Sequence, residues 1–217
     1  MMRWALLIGC CLLTAALAAE DNAKTLVLGF GGKASDAPPK GWTAAQTGKG
    51  EGSVWKVVAD DTAPSKAGFV LAQTAAGPDR MFNLCVADDT NYKNLEMSVA
   101  FKAVRGDSDR GGGLVWRYQD ADNYYVARMN PLEDNFRVYR VVNGKRTQLG
   151  TKDNLKISSG EWHTITISQI GDIIMCSLDG KKYLDVKDAT FLTSGKVGLW
   201  TKADAQTYFD ELKVVPK

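Results

Sequence analysis

Histidine occurs once in the 217 residues and cysteine four times. That leaves little material for a zinc site built from those ligands. Charge of one sign is also lacking: 27 basic and 25 acidic residues give a formal net charge of +2. The chain is too balanced to be marked by composition as a polyanion binder, and its scattered arginines give no basis for nucleic-acid binding. Helical periodicity is nearly absent, and beyond the N-terminal stretch no segment is apolar enough to cross a membrane. What is present, 45% hydrophobic and 24% charged residues, is ordinary for a globular chain and excludes disorder and collagen-like repeats. One domain with at most short decorations is expected.

The N-terminus, MMRWALLIGCCLLTAALAAED, reads as a secretory signal. Arg3 supplies the positive start, Trp4 to Leu17 an apolar run, and Ala16-Leu17-Ala18 a small-x-small cleavage site. The run is shorter than the roughly 20 residues a spanning helix needs. Cleavage after residue 18 leaves 19–217 as a single exported domain, periplasmic or secreted. Leu7-Ile8-Gly9-Cys10 offers a lesser alternative, a lipoprotein attached through Cys10. Cleavage at Ala18 removes Cys10 and Cys11 and leaves Cys85 and Cys176. Export permits a disulfide between them, and the apolar runs around each are equally suited to a buried free thiol. Both readings stay open.

From Thr25 onward period-two alternation dominates. In Leu95-Glu96-Met97-Ser98-Val99-Ala100-Phe101, the apolar residues at 95, 97, 99 and 101 share one face. Similar runs are expected at 25–30, 53–58, 68–73, 81–86, 113–118, 123–130, 135–142, 147–150, 161–169, 172–178, 181–186, 196–201 and 207–215. Asn143-Gly144 suits a type I′ hairpin turn, in which both central residues need positive φ. Gly171-Asp172 and Asp179-Gly180 turn a meander from Trp162 to Val186. Pro38, Pro39, Pro64, Pro78 and Pro131 fall between runs, as strand pairing demands. About a dozen short antiparallel strands must each bury a face, which predicts an all-β, two-sheet antiparallel jelly-roll sandwich; a closed barrel is the alternative.

The middle and end of the chain carry an ordered set of pieces. They are Gly111-Gly112-Gly113-Leu114-Val115-Trp116-Arg117, Asp122-Asn123-Tyr124-Tyr125, Val138 to Gly144, Trp162-His163, Leu178-Asp179-Gly180-Lys181, Gly195 to Trp200 and Tyr208-Phe209-Asp210-Glu211-Leu212. This pattern resembles the concanavalin A-like lectin/glucanase superfamily, and within it the laminin-G-like and 3-keto-disaccharide hydrolase-like domains of exported bacterial proteins. The resemblance spans nearly the whole chain after residue 18. It implies a jelly roll and a saccharide or glycan partner, and its activity is not implied, because one fold hosts binders and enzymes alike. The hydrolase-like pattern places a Gly-Tyr-Glu-x-Gln strand after the Gly-rich one. Here that stretch, Tyr124 to Asn130, has an Arg and no carboxylate. Glycoside hydrolysis usually needs two carboxyl groups, and no pair falls on one strand face.

Alternation gathers Arg117, Tyr124, Arg128, Asn130, Arg137 and Tyr139 on the solvent face of one sheet, with Trp200 and Lys202 extending it. Aromatic rings stack on sugar faces, and Arg or Asn reach hydroxyls or carboxylates. The competing reading is a solvated face of cross-strand pairs. His163, in phase with Ile165 and Ile167, is a weak catalytic candidate beside its more usual structural role. Asp120, Asp122 and Asp210 are weak candidates for a structural calcium; no cofactor is required. Asp107-Ser108-Asp109 reads as a solvated loop. Three functions stay open: an exported, non-catalytic carbohydrate-binding or surface-interaction module; a glycoside or 3-keto-glycoside hydrolase; and a structural docking domain.

Overall fold

The computed structural model describes residues 25–30 and 32–217. The expected leader, 1–18, and Cys10 lie outside the described residues. In chain order the strands are β1 (Leu26–Leu28), β2 (Trp42–Thr47), β3 (Trp55–Ala59), β4 (Phe69–Gln73) and β5 (Phe82–Ala87). There follow β6 (Leu95–Arg105), β7 (Gly112–Asp120), β8 (Asn123–Asn130), β9 (Asn135–Val142) and β10 (Lys145–Asp153). The last are β11 (Trp162–Ile170), β12 (Ile173–Leu178), β13 (Lys181–Lys187), β14 (Lys196–Lys202) and β15 (Gln206–Pro216). No helix among the described residues is long and apolar enough to cross a membrane.

The strands form two antiparallel sheets. One runs β13-β12-β11-β6-β15-β4-β3, with β1 also on β15; the other runs β10-β9-β8-β7-β14-β5-β2. The expected sandwich is therefore the structure of the chain. Asn143 and Gly144 have φ of 49° and 73°, and Asp179 and Gly180 of 47° and 77°, as two-residue hairpin turns require. Alternation fills the main core: Leu95, Met97, Val99 and Phe101 from β6 meet Leu114, Trp116, Tyr125, Ala127 and Met129 from β7 and β8. Cys85 and Cys176 lie in this core as separate free thiols, which resolves the two readings in favour of burial without a bond. Desolvation pushes both thiol pKa values up, so neither is a ready nucleophile.

The second sheet also packs on its other side. Phe82, Leu84, Val115, Tyr124, Val126, Tyr139, Val141 and Trp200 make a second apolar cluster there. Its cause is curvature. The Tyr124 hydroxyl on β8 meets Thr47 Oγ1 on β2 at 2.7 Å. Three strands lie between them. A flat sheet would hold those strands about 19 Å apart, at about 4.8 Å per step. The sheet is curled until a side chain of edge strand β2 meets one of β8 across a concave face.

Candidate functional site

The concave face holds seven of the eight side chains expected to form a site. Register explains it: Arg128 lies opposite Arg137, Val126 opposite Tyr139, and Tyr124 opposite Val141 across β8 and β9. Trp200 and Lys202 on β14 share this face, with Val197 and Leu199 in the main core. The expectation of a wet face is corrected, however. Tyr124, Arg128, Asn130, Tyr139 and Trp200 are all buried. The curl of the sheet, which alternation does not encode, closes them in.

Arg117 is the residue that does not join. A left-handed φ of 45° at Arg117, within a register shift between Trp116 and Asp120, breaks the alternation. Its guanidinium leaves the face and donates to the carbonyls of Lys93, Phe191 and Gly171 at 2.6–2.8 Å, tying three loops together. The same bulge delivers Tyr118, which strict alternation from Arg117 puts on the opposite face, onto Tyr124, with ring centroids 6.1 Å apart.

At one end the concave face is polar and closely paired. Lys202 Nζ donates to Asp109 Oδ2 and Asn130 Nδ2 to Asp109 Oδ1, each at 2.8 Å. Asn130 Oδ1 accepts from the backbone N–H groups of Leu132 and Glu133. Arg128 donates to Asn135 Oδ1 and to Glu133 Oε2, each at 2.8 Å. Arg137, half-buried, also pairs with Glu133 at 3.6 Å and with Asp153 at 3.3 Å. Asp109 is not a solvated loop residue. The carboxylate of Asp204 accepts the N–H groups of Asp107, Ser108 and Asp109 and folds that loop inward.

Two carboxyl groups, those of Asp109 and Glu133, thus lie at this end, although no strand face carries both. Burial raises the pKa of Asp109, only partly relieved by Lys202 and Arg128, and nearby Glu133 adds to the rise. Burial also disfavours the Glu133 anion, but the Arg128 hydrogen bond and charge outweigh it and hold Glu133 at about 2. The pair is missed in the sequence because it comes from two loops joined through Asn130.

The other end is aromatic. Arg146, unremarked in the sequence, extends from edge strand β10. Its guanidinium lies 4.4 Å from the Tyr139 ring centre, 5.0 Å from Phe82 and 5.8 Å from Trp200. Arg128 lies 6.0 Å from the same Tyr139 ring. Gly113 stands opposite both Arg128 and Trp200 on its two neighbouring strands, so no side chain divides the ends. A Cβ there would come within 1.8 Å of the Ala127 carbonyl oxygen, which leaves glycine as the residue that fits. Among the described residues, three buried side-chain nitrogens lack any hydrogen-bond partner: Arg128 Nε, Arg146 Nη1 and Trp200 Nε1. All three belong to this one face, and all three are donors. The Trp200 indole is near enough to the Tyr124 oxygen to favour its anion, but not in hydrogen-bonding geometry.

The remaining expectations fall elsewhere. His163 packs against Phe101, and its ring nitrogens face Asp179 Oδ2 at 2.8 Å and the Ser158 carbonyl at 3.3 Å. Both nitrogens are engaged in holding a turn. Asp120 accepts from the Asp122 N–H and from Asn123, which makes a turn. Asp210 accepts from the backbone N–H groups of Ser65 and Glu211. No group of three His, Cys, Asp or Glu residues among the described residues is placed to hold a metal ion. The carboxylates of Asp120 and Asp210 each accept a backbone N–H and so hold a turn and a loop in place.

With this geometry in place, comparison with known proteins is informative. The profile of the 3-keto-alpha-glucoside-1,2-lyase-like domain matches residues 30–215. The chain belongs to that family. No curated protein matches it. Among solved structures, the carbohydrate-binding module CBM66 from Bacillus subtilis is similar, with TM-score 0.60 and 18% identity over 79% of this chain and 93% of that one. A Bacillus licheniformis beta-glucanase gives 0.62 and 12% over 90% and 100%. A glycosyl hydrolase described as putative from Parabacteroides distasonis gives 0.53 and 15% over 82% and 88%. At these identities the likeness is one of fold. Against its own family's expected strand, this 3-keto-alpha-glucoside-1,2-lyase-like domain presents Val126 and Arg128 on the concave face and places its carboxylates on the rim.

Proposed function

We propose that the domain recognises carbohydrate on the concave face of its curled sheet. The observation that carries this reading is the convergence of three unsatisfied buried donors beside the Tyr139, Phe82 and Trp200 rings. Buried donors without partners are costly, and a native protein retains few of them without a reason. Sugar oxygens supply acceptors, and aromatic rings accept the apolar faces of pyranoses. The family and the fold of the neighbours support a saccharide as the ligand. The expected leader at residues 1–18 fits a setting outside the cytoplasm, where glycans are available.

Titration calorimetry against a saccharide panel tests the reading. Binding is expected in wild type and about tenfold weaker in Trp200→Phe, which keeps a ring and removes one orphaned donor. No binding across the panel, or full binding in both Trp200→Phe and Tyr139→Ala, would overturn it.

A second reading has its own observation, the carboxyl pair with pKa values pushed apart. One carboxyl whose pKa is raised by burial and another whose pKa is lowered by its arginine are pushed apart in the sense that an acid and a base require. In this reading Asp109 is the proton donor and Glu133 the base toward a glycoside or 3-keto-glycoside. Turnover of 3-keto-glucosides by purified protein, abolished in Asp109→Asn and in Glu133→Gln, supports it. An inert wild type rejects it and leaves the binding module.

A further inference from the structure

The charges of the concave face do not cancel. Lys202 has Asp109, and Arg128 has Glu133. Arg137 shares Glu133 and also has Asp153. Arg146 has no ion pair and no side-chain hydrogen bond among the described residues. Instead its guanidinium is stacked over three rings with Nη1 buried and unpartnered. Burial and the neighbouring Arg128 charge both act against its protonated form. Arg146 as a residue is half-buried, and its Nη1 is fully shielded without an acceptor; a cation partly desolvated in this way ordinarily has an anion to compensate it. The two other orphans beside it, Arg128 Nε and Trp200 Nε1, are also donors. The face therefore lacks both acceptor oxygens and one negative charge.

Resting on the carbohydrate reading above, we propose that this face selects an acidic saccharide, a hexuronate whose carboxylate takes Arg146. A neutral hydroxyl would supply an acceptor but leave the cation unpaired. A planar carboxylate matches the guanidinium edge with two parallel hydrogen bonds. Arg146 sits on the edge strand and is held over the rings by stacking alone. Its side chain lifts to meet the carboxylate without breaking strand pairs, and the Tyr139 and Phe82 rings it leaves are freed for the sugar face. Arg128 Nε–H and the Trp200 indole N–H then donate to the ring or hydroxyl oxygens of the same sugar residue.

The test is a matched pair. Oligosaccharides of galacturonate, glucuronate and mannuronate are compared by calorimetry with their carboxyl-reduced neutral counterparts, on wild type, Arg146→Gln and Arg146→Lys. Melting curves confirm that all three proteins are folded. In wild type at least one acidic series binds about tenfold or more tighter than its reduced partner, charge-assisted hydrogen bonds being about twice as strong as neutral ones. That preference vanishes in Arg146→Gln and is partly retained in Arg146→Lys. Equal or better binding of the neutral series, or a preference that survives Arg146→Gln, overturns the proposal while leaving carbohydrate recognition standing. Failure of both series and of the neutral panel overturns recognition itself.

Discussion

Each of the two sheets carries a cation over aromatic rings on the side away from the main core, and the two clusters differ in one respect. On the outer face of the first sheet, Lys102 lies 5.1 Å from the Trp162 ring and 5.4 Å from Tyr208. There Lys102 pairs with Asp60 and donates to Thr62 Oγ1, and the Trp162 indole N–H also donates to Thr62. Every donor named is satisfied. On the concave face Arg146 and Trp200 have similar neighbours and no acceptor. Aromatic–cation composition is thus shared by a closed structural cluster and an open one. The unsatisfied donors, not the residue types, separate a site from a brace.

This difference is open to attack by mutation. The largest expected effect is at the closed cluster: Lys102→Ala leaves the Asp60 carboxylate, 7% exposed, without its cation. Loss of about 3 kcal/mol in urea denaturation is expected, with saccharide binding unchanged. A loss below about 1 kcal/mol would remove the distinction. Arg146→Ala at the open cluster is expected to change stability by no more than about 1 kcal/mol, because lost stacking is offset by relief of an unpaired, half-buried charge. Its effect belongs to binding. A stability loss as large as that of Lys102→Ala would make Arg146 a brace too.

A smaller effect lies at the rim. Glu133 is held at about 2 in the folded protein against an ordinary value of 4.5. A lowered acid pKa contributes stability that is present above about 4.5 and is lost as pH falls through about 2. With its side chain 38% exposed, solvent screening keeps the contribution under about 1 kcal/mol. Glu133→Gln should therefore flatten the acid limb of stability against pH between those values, and an unchanged limb would show that the Arg128–Glu133 pair contributes nothing.

Much of this was legible as alternation. The parity of β8, β9 and β14 placed Tyr124, Arg128, Arg137, Tyr139, Trp200 and Lys202 together, because each strand there is regular. It failed where the backbone departs from period two. The left-handed residue at 117 sent Arg117 and Tyr118 to places opposite to those expected. β2, in the weakly patterned Trp42-Thr43-Ala44-Ala45-Gln46-Thr47, was not anticipated, and it is Thr47 on β2 that closes the concave face over Tyr124. Curvature is a property of the whole sheet, so burial of the site could not be read from any strand. Asp109 and Glu133 come from loops brought together by Asn130, which holds its neighbour Glu133 locally and Asp109 across the chain, and by Asp204, which reaches the Asp109 loop from far along the sequence. Arg146 has no local signal; only its neighbours make it unusual.

The two tryptophans provide the most direct measurement. In a nitrogen–proton spectrum with indole resonances assigned through Trp200→Phe and Trp162→Phe, a saccharide is titrated into the protein. The Trp200 indole proton, which lacks an acceptor, is expected to move downfield as it gains one, while that of Trp162, already bonded to Thr62, stays in place. A saccharide that binds while Trp200 stays fixed, or one that shifts Trp162 instead, would contradict the assignment of the concave face.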